Sequence, residues 1–134
     1  MAKSIVMAAA LPAPPQRLFE MYLDPAVHSA FTGSPVTIAR EPGSAFEAFG
    51  GMLRGRILHA ERGTIVQTWR SARWPADAPD SILVLSFFAE ADGSGRIELV
   101  HLGVADEDFA GVSHGWQKFY WTPWREYLEK NPAR

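Results

Sequence analysis

The stretch SILVLSFFAEADGSGRIELVHLGV, residues 81–104, decides the fold. Ser81–Ala91 is a long, strongly apolar run. Asp92-Gly93-Ser94-Gly95 has the composition of a hairpin turn. Arg96–Val104 reads as the last strand. Two strands joined by so short a turn must be antiparallel. Side-chain parity adds the faces: Leu83, Leu85 and Phe87 share one side, as do Ile97, Leu99 and His101. Glu98 marks the opposite, solvent side, so His101 points inward.

The same pattern extends upstream. Thr64–Ala72 and Met52–Ala60 read as strands, with Trp69, Leu53 and Ile57 inward and Arg70 outward. Ala45–Phe49, a strand from Pro35 to Ala39 and a first strand over 4–11 complete about six to seven. Between the first two lie two short helices. Pro14-Pro15 starts one over 15–23, Asp24-Pro25 breaks it, and Ala26–Phe31 forms the second. Downstream of Asp106-Glu107-Asp108 the chain is helical from Phe109 to about Lys130. At 100° per residue, Trp116, Phe119, Tyr120, Pro123, Trp124 and Tyr127 share one face of that helix, and Trp121 lies beside it. Pro123 lacks an N–H, so a kink or break is expected near 119–123. The fold class is α+β: an antiparallel sheet with one face covered by a long C-terminal helix, forming a single domain over 1–134.

Composition excludes several functions. The net charge of −2 offers no broad positive field for nucleic acid. The absence of cysteine removes disulfides, thiol nucleophiles and thiolate metal sites, and suits a cytoplasmic location. No apolar run is long enough to span a membrane, and no signal-peptide pattern is expected at the start. His28, His59, His101 and His114 have no metal-ligand spacing, so no metal and no cofactor are expected. What stands out is 16 aromatic residues, five of them Trp.

Six short motifs, in order, carry a resemblance. They are Phe31-Thr32-Gly33-Ser34-Pro35, Gly43-Ser44-Ala45-Phe46, Trp69-Arg70, Trp74-Pro75, Leu85-Ser86-Phe87 and Gly115-Trp116-Gln117. Together they resemble the activator of heat-shock protein 90 ATPase homologue (AHSA) family, of the START-like (SRPBCC) superfamily. The similarity is to the C-terminal-domain type and runs from about residue 5 to 128. It implies the helix-grip fold and a cavity between sheet and helix that takes an apolar or aromatic small molecule. It also implies a role related to chaperone regulation, although 134 residues leave no room for the separate N-terminal domain of the full co-chaperone.

The candidate ligand-binding residues are Trp69, Leu85, Phe87, Leu99, His101, Trp116, Phe119 and Tyr120. They surround a space or fill it; parity does not decide which. No catalytic residue is assigned. An alternative is an enzyme using His101 with Tyr120 as acid–base groups, but no carboxylate is placed inward to orient the imidazole. Buried Tyr and Trp tips would need partners, for which Gln67, Thr68 and His101 serve. Arg70 and Arg73 flank Trp69 and Trp74. They form a solvated edge, pair with Glu98 on the outer face, or hold an anion at the cavity mouth. Trp74 and Trp121 either pack beneath a loop or form an oligomer interface. The partners considered are a hydrophobic or aromatic small molecule, a second copy in a homodimer, and a chaperone.

Overall fold

A computed structural model describes residues 2–132. The chain runs β1 (Ala2–Leu11), α1 (Pro15–Leu23), α2 (Pro25–Thr32), β2 (Val36–Thr37), β3 (Ala45–Ala48), β4 (Leu53–Glu61), β5 (Thr64–Ser71), β6 (Ser81–Ala89) and β7 (Gly95–Ala105). A 3₁₀ turn (Asp106–Asp108) leads into a C-terminal helix in three parts: α3 (Phe109–Gly115), a π-helical turn (Trp116–Trp121) and α4 (Thr122–Lys130). All strand pairs are antiparallel, in the order β1-β7-β6-β5-β4-β3-β2. This is the helix-grip architecture.

The local chemistry places the elements. Asp24 ends α1 and caps α2, its Oδ1 accepting from the N–H groups of Ala26 (2.9 Å) and Val27 (3.3 Å). Gly33 closes α2 in the left-handed region at φ 78°. In the sheet, a Cβ on Gly55 would lie 1.9 Å from the carbonyl oxygen of Thr68. The backbones of β4 and β5 can therefore approach there only because residue 55 is glycine. A register irregularity follows between Ile57 and His59.

Hairpin parity holds in the structure. Leu83, Leu85, Phe87, Ile97, Leu99, His101, Ile57 and Trp69 are buried, and Glu98 is exposed. On the other face Val6, Val100, Val84 and Val66 align in one row across β1, β7, β6 and β5.

The helix face departs from a simple 100° wheel. Phe119, assigned to the inward stripe, is 46% exposed, and Trp121, assigned beside it, is 3% exposed. The cause is the π-helical turn, where the N–H of Thr122 reaches back five residues to the carbonyl of Gln117. A wider turn rotates every side chain beyond it. It falls immediately before Pro123, where an N–H for the α-helical bond is missing. The expected break is thus absorbed as one wide turn. Trp121 packs between Trp116 and Trp124, with ring centroids 5.7 and 6.3 Å away.

Trp74 and Trp121, considered for an oligomer interface, are both buried within the chain. The indole N–H of Trp74 donates to Asp108 Oδ2 at 2.8 Å, and that of Trp121 faces Met7 Sδ at 3.3 Å. Arg70 does not pair with Glu98. It pairs with Asp80 at 2.6 Å and donates to the carbonyls of Pro75 and Ala78, stitching the loop before β6, while Glu98 pairs with Arg96.

Candidate functional site

Between α3, the π-helical turn and the β3–β5 end of the sheet lies a cavity of about 310 Å³. Trp69 and Ser71 reach it from β5, Leu53 from β4, and Phe49 and Met52 from the β3–β4 connection. The helix contributes Val112, Trp116, Phe119 and Tyr120, together with Gly111 and Gly115. These two glycines are four residues apart and so stack on one helix face. Each gives up roughly 1 kcal/mol of helix stability relative to alanine. Gly115 is half-buried and presents bare backbone to the cavity, while Gly111 is exposed at its edge, where a Cβ would meet Asp108 Oδ1 at 3.1 Å. A Cβ on Gly115 would meet nothing closer than Phe119 Cδ2 at 3.7 Å.

The wall is aromatic. Trp116 and Tyr120 lie 4.8 Å apart by ring centroid, and Phe119 meets Phe49 edge-on at 5.6 Å. Exposed Phe119 and Met52 form its rim with Arg73 and Asp108.

Behind that wall sit two fully buried histidines, each holding one wall residue by its polar tip. The indole N–H of Trp116 donates to His101 Nδ1 at 3.3 Å. That nitrogen must then be unprotonated, so Nε2 carries the hydrogen and donates to Ser81 Oγ at 2.8 Å. Ser81 passes its own hydrogen to the carbonyl of Trp69 at 2.6 Å. The second chain runs the opposite way. His28 Nδ1 lies 2.7 Å from the carbonyl of Tyr22, which can only accept. Its Nε2 therefore accepts from the hydroxyl of Tyr120 at 2.9 Å. Tyr22 in turn donates to Gln67 Oε1 at 2.6 Å.

These environments hold both imidazoles neutral. Burial lowers the pKa of His101 to about 4. Burial also lowers that of His28 to about 4, against the opposing bond to the Tyr22 carbonyl. The phenols of Tyr120 and Tyr22 are pushed above their ordinary range, by burial first and, for Tyr22, also by Tyr120.

Of the eight residues read from the sequence as ligand-binding, Trp69, Trp116, Phe119 and Tyr120 line this cavity. Leu85, Leu99 and His101 are fully buried and Phe87 nearly so; none of the four lines it. Phe87 instead meets Phe19 of α1 edge-on at 5.6 Å. Strand parity gives the inward face but not the position along the strand, and the cavity occupies only one end of the sheet. His28 was missed, because no parity applies to a helix. Its signal was the three-residue spacing to Phe31, which puts both on one face of α2; their rings stack at 5.1 Å.

Comparison with known proteins places the chain. The family described as activator of Hsp90 ATPase homolog 1-like protein matches residues 12–129. An activator of 90 kDa heat shock protein ATPase homolog from Dictyostelium discoideum is 27% identical over 105 residues, covering 78% of this chain and 27% of that protein. A Schizosaccharomyces pombe protein is 31% identical over 112 residues, covering 83% of this chain and 33% of its own length. The chain thus spans about a third or less of these two relatives. The crystal structure of an HSP90 activator from Plasmodium falciparum superposes with a TM-score of 0.78 at 18% identity, covering 87% of this chain and 89% of that one. With the family matched over nearly its whole length and the helix-grip fold shared, this chain belongs to the activator of Hsp90 ATPase homolog 1-like family.

Proposed function

We propose that this domain binds a small, flat, apolar molecule of one or two rings in the cavity between the sheet and the C-terminal helix. The carrying observation is the cavity of about 310 Å³ left open at Gly115 beside Trp69, Trp116 and Tyr120, at the lower end of small-molecule site sizes. Aromatic walls with a few polar groups at one edge suit such a ligand. The buried histidines support binding over acid–base chemistry. Both nitrogens of His101 are engaged, and the Tyr120 hydroxyl is committed to His28. The test is calorimetric titration with neutral naphthalene derivatives, alongside a Gly115→Leu variant that fills the space. Binding to the parent chain and its loss in a folded Gly115→Leu support the proposal. Equal binding to both contradicts it.

A second reading is a protein-interaction module acting on an Hsp90-type chaperone. Two observations favour it: the kinship with Hsp90 activators, and the exposed apolar residues of the sheet's outer face. There Val6 is 76% exposed, with Leu102 at 45% and Phe88 at 48%. Co-purification with the chaperone and a change in its ATPase rate test this reading. Absence of both removes it.

A further inference from the structure

We infer that the cavity selects an aromatic ligand carrying an acidic group, with Arg73 and Ser71 receiving that group. The inference rests on the binding proposal and adds the polar half of the ligand.

The two arginines of this region differ in what they do. Arg70 is spent on Asp80 and two loop carbonyls. Arg73 is exposed, lines the cavity at its rim, and makes no side-chain hydrogen bond or ion pair among the described residues. Its backbone is pinned: its N–H donates to Ser71 Oγ at 3.1 Å. That bond uses the oxygen of Ser71 as an acceptor and leaves the hydroxyl hydrogen with no acceptor among the described residues. Ser71 is only 5% exposed and lines the same cavity. A buried hydroxyl with an unused hydrogen is an incomplete polar group. A carboxylate on the ligand would complete it and neutralise the free guanidinium in one contact.

Asp108 stands at the same rim and has to be weighed. Its Oδ2 is occupied by the indole N–H of Trp74 at 2.8 Å. Its Oδ1 lies beside Gly111, 3.1 Å from where a Cβ would be. The carboxylate is thus turned toward the Trp74 loop and the start of α3. It would repel an anion on the helix side and direct it toward β5, where Ser71 and Arg73 lie. A cationic ligand would find Asp108 but would also meet Arg73 and leave the Ser71 hydroxyl unused.

The experiment compares 2-naphthoate with 2-acetylnaphthalene, a neutral molecule of similar shape, by calorimetry on the parent chain and on Arg73→Gln. The expected result is about tenfold tighter binding of the naphthoate to the parent chain, shrinking as salt is raised. In Arg73→Gln the ratio falls to within about twofold. If both probes bind the parent chain equally, the acidic-group inference is overturned and the apolar-cavity proposal stands. If the preference survives in Arg73→Gln, the assignment to Arg73 is overturned. If neither probe binds, the cavity proposal itself fails, and this inference with it.

Discussion

His28 Nε2 and the hydroxyl of Tyr120 lie 2.9 Å apart, joining α2 to the back of the cavity wall. The bond fixes which way the Tyr120 ring turns, and so how one wall of the cavity is shaped. Trp116 is held in the same manner by His101. The aromatic lining therefore does not rely on ring-to-ring packing alone. Trp116 and Tyr120 are each anchored by a hydrogen bond in a buried, low-dielectric place, where an unmade bond is costly.

Removing the anchor should cost stability. Tyr120→Phe leaves His28 Nε2 buried without a donor, and a loss of about 1–3 kcal/mol is expected. Urea unfolding measures it. A change below about 0.5 kcal/mol would mean the bond does not form.

Stability should fall with acid. Both histidines have folded pKa values near 4, against 6.5 in the unfolded chain. Between those values the unfolded state binds more protons than the folded one, so stability rises with pH through this window and is complete above about 6.5. Going from pH 7.5 to pH 5 should remove roughly 2 kcal/mol per histidine, at 1.36 kcal/mol per pKa unit. Urea midpoints at the two pH values test the sum, and a variant replacing one histidine should lose part of the slope.

The π-helical turn predicts unequal roles for two neighbouring aromatics. Trp121→Ala should cost about 3–5 kcal/mol, as a buried aromatic does. Phe119→Ala, at the exposed rim, should cost about 1 kcal/mol or less. On an ideal helical wheel the order would be reversed. Thermal unfolding of the two variants decides it.

The two glycines offer a trade. Gly115→Ala should raise stability by roughly 0.5–1 kcal/mol through helix propensity, because the added methyl finds free space. The same methyl intrudes on the cavity, so affinity for naphthalene probes should drop. Parallel unfolding and calorimetry on this one variant read both effects.

Much of this was legible from residues 81–104. A short-turned hairpin next to a long aromatic helix implies an antiparallel sheet covered by that helix, the gripping shape came with the family resemblance, and parity gave the inward set correctly, Trp69 and His101 included. What parity could not supply was depth along the strands. Leu85 and Leu99 face inward like Trp69 but sit where the core is filled. Nor does a 3.6-residue wheel foresee a wide turn; Pro123 announced a disturbance without saying that Trp121 would gain the core and Phe119 lose it. The cavity itself had a quiet signal in Gly111 and Gly115, two poor helix formers one turn apart in a helix otherwise rich in large side chains.

The most direct measurement is the indole N–H spectrum of the five tryptophans during titration with 2-naphthoate, each signal assigned by single Trp→Phe variants. Trp69 and Trp116 line the cavity, while Trp121 and Trp124 are buried away from it. Saturable shifts concentrated on Trp69 and Trp116, absent in Gly115→Leu, are the expected result. Shifts centred on Trp121 or Trp124, or no saturable shift at any tryptophan, would contradict it.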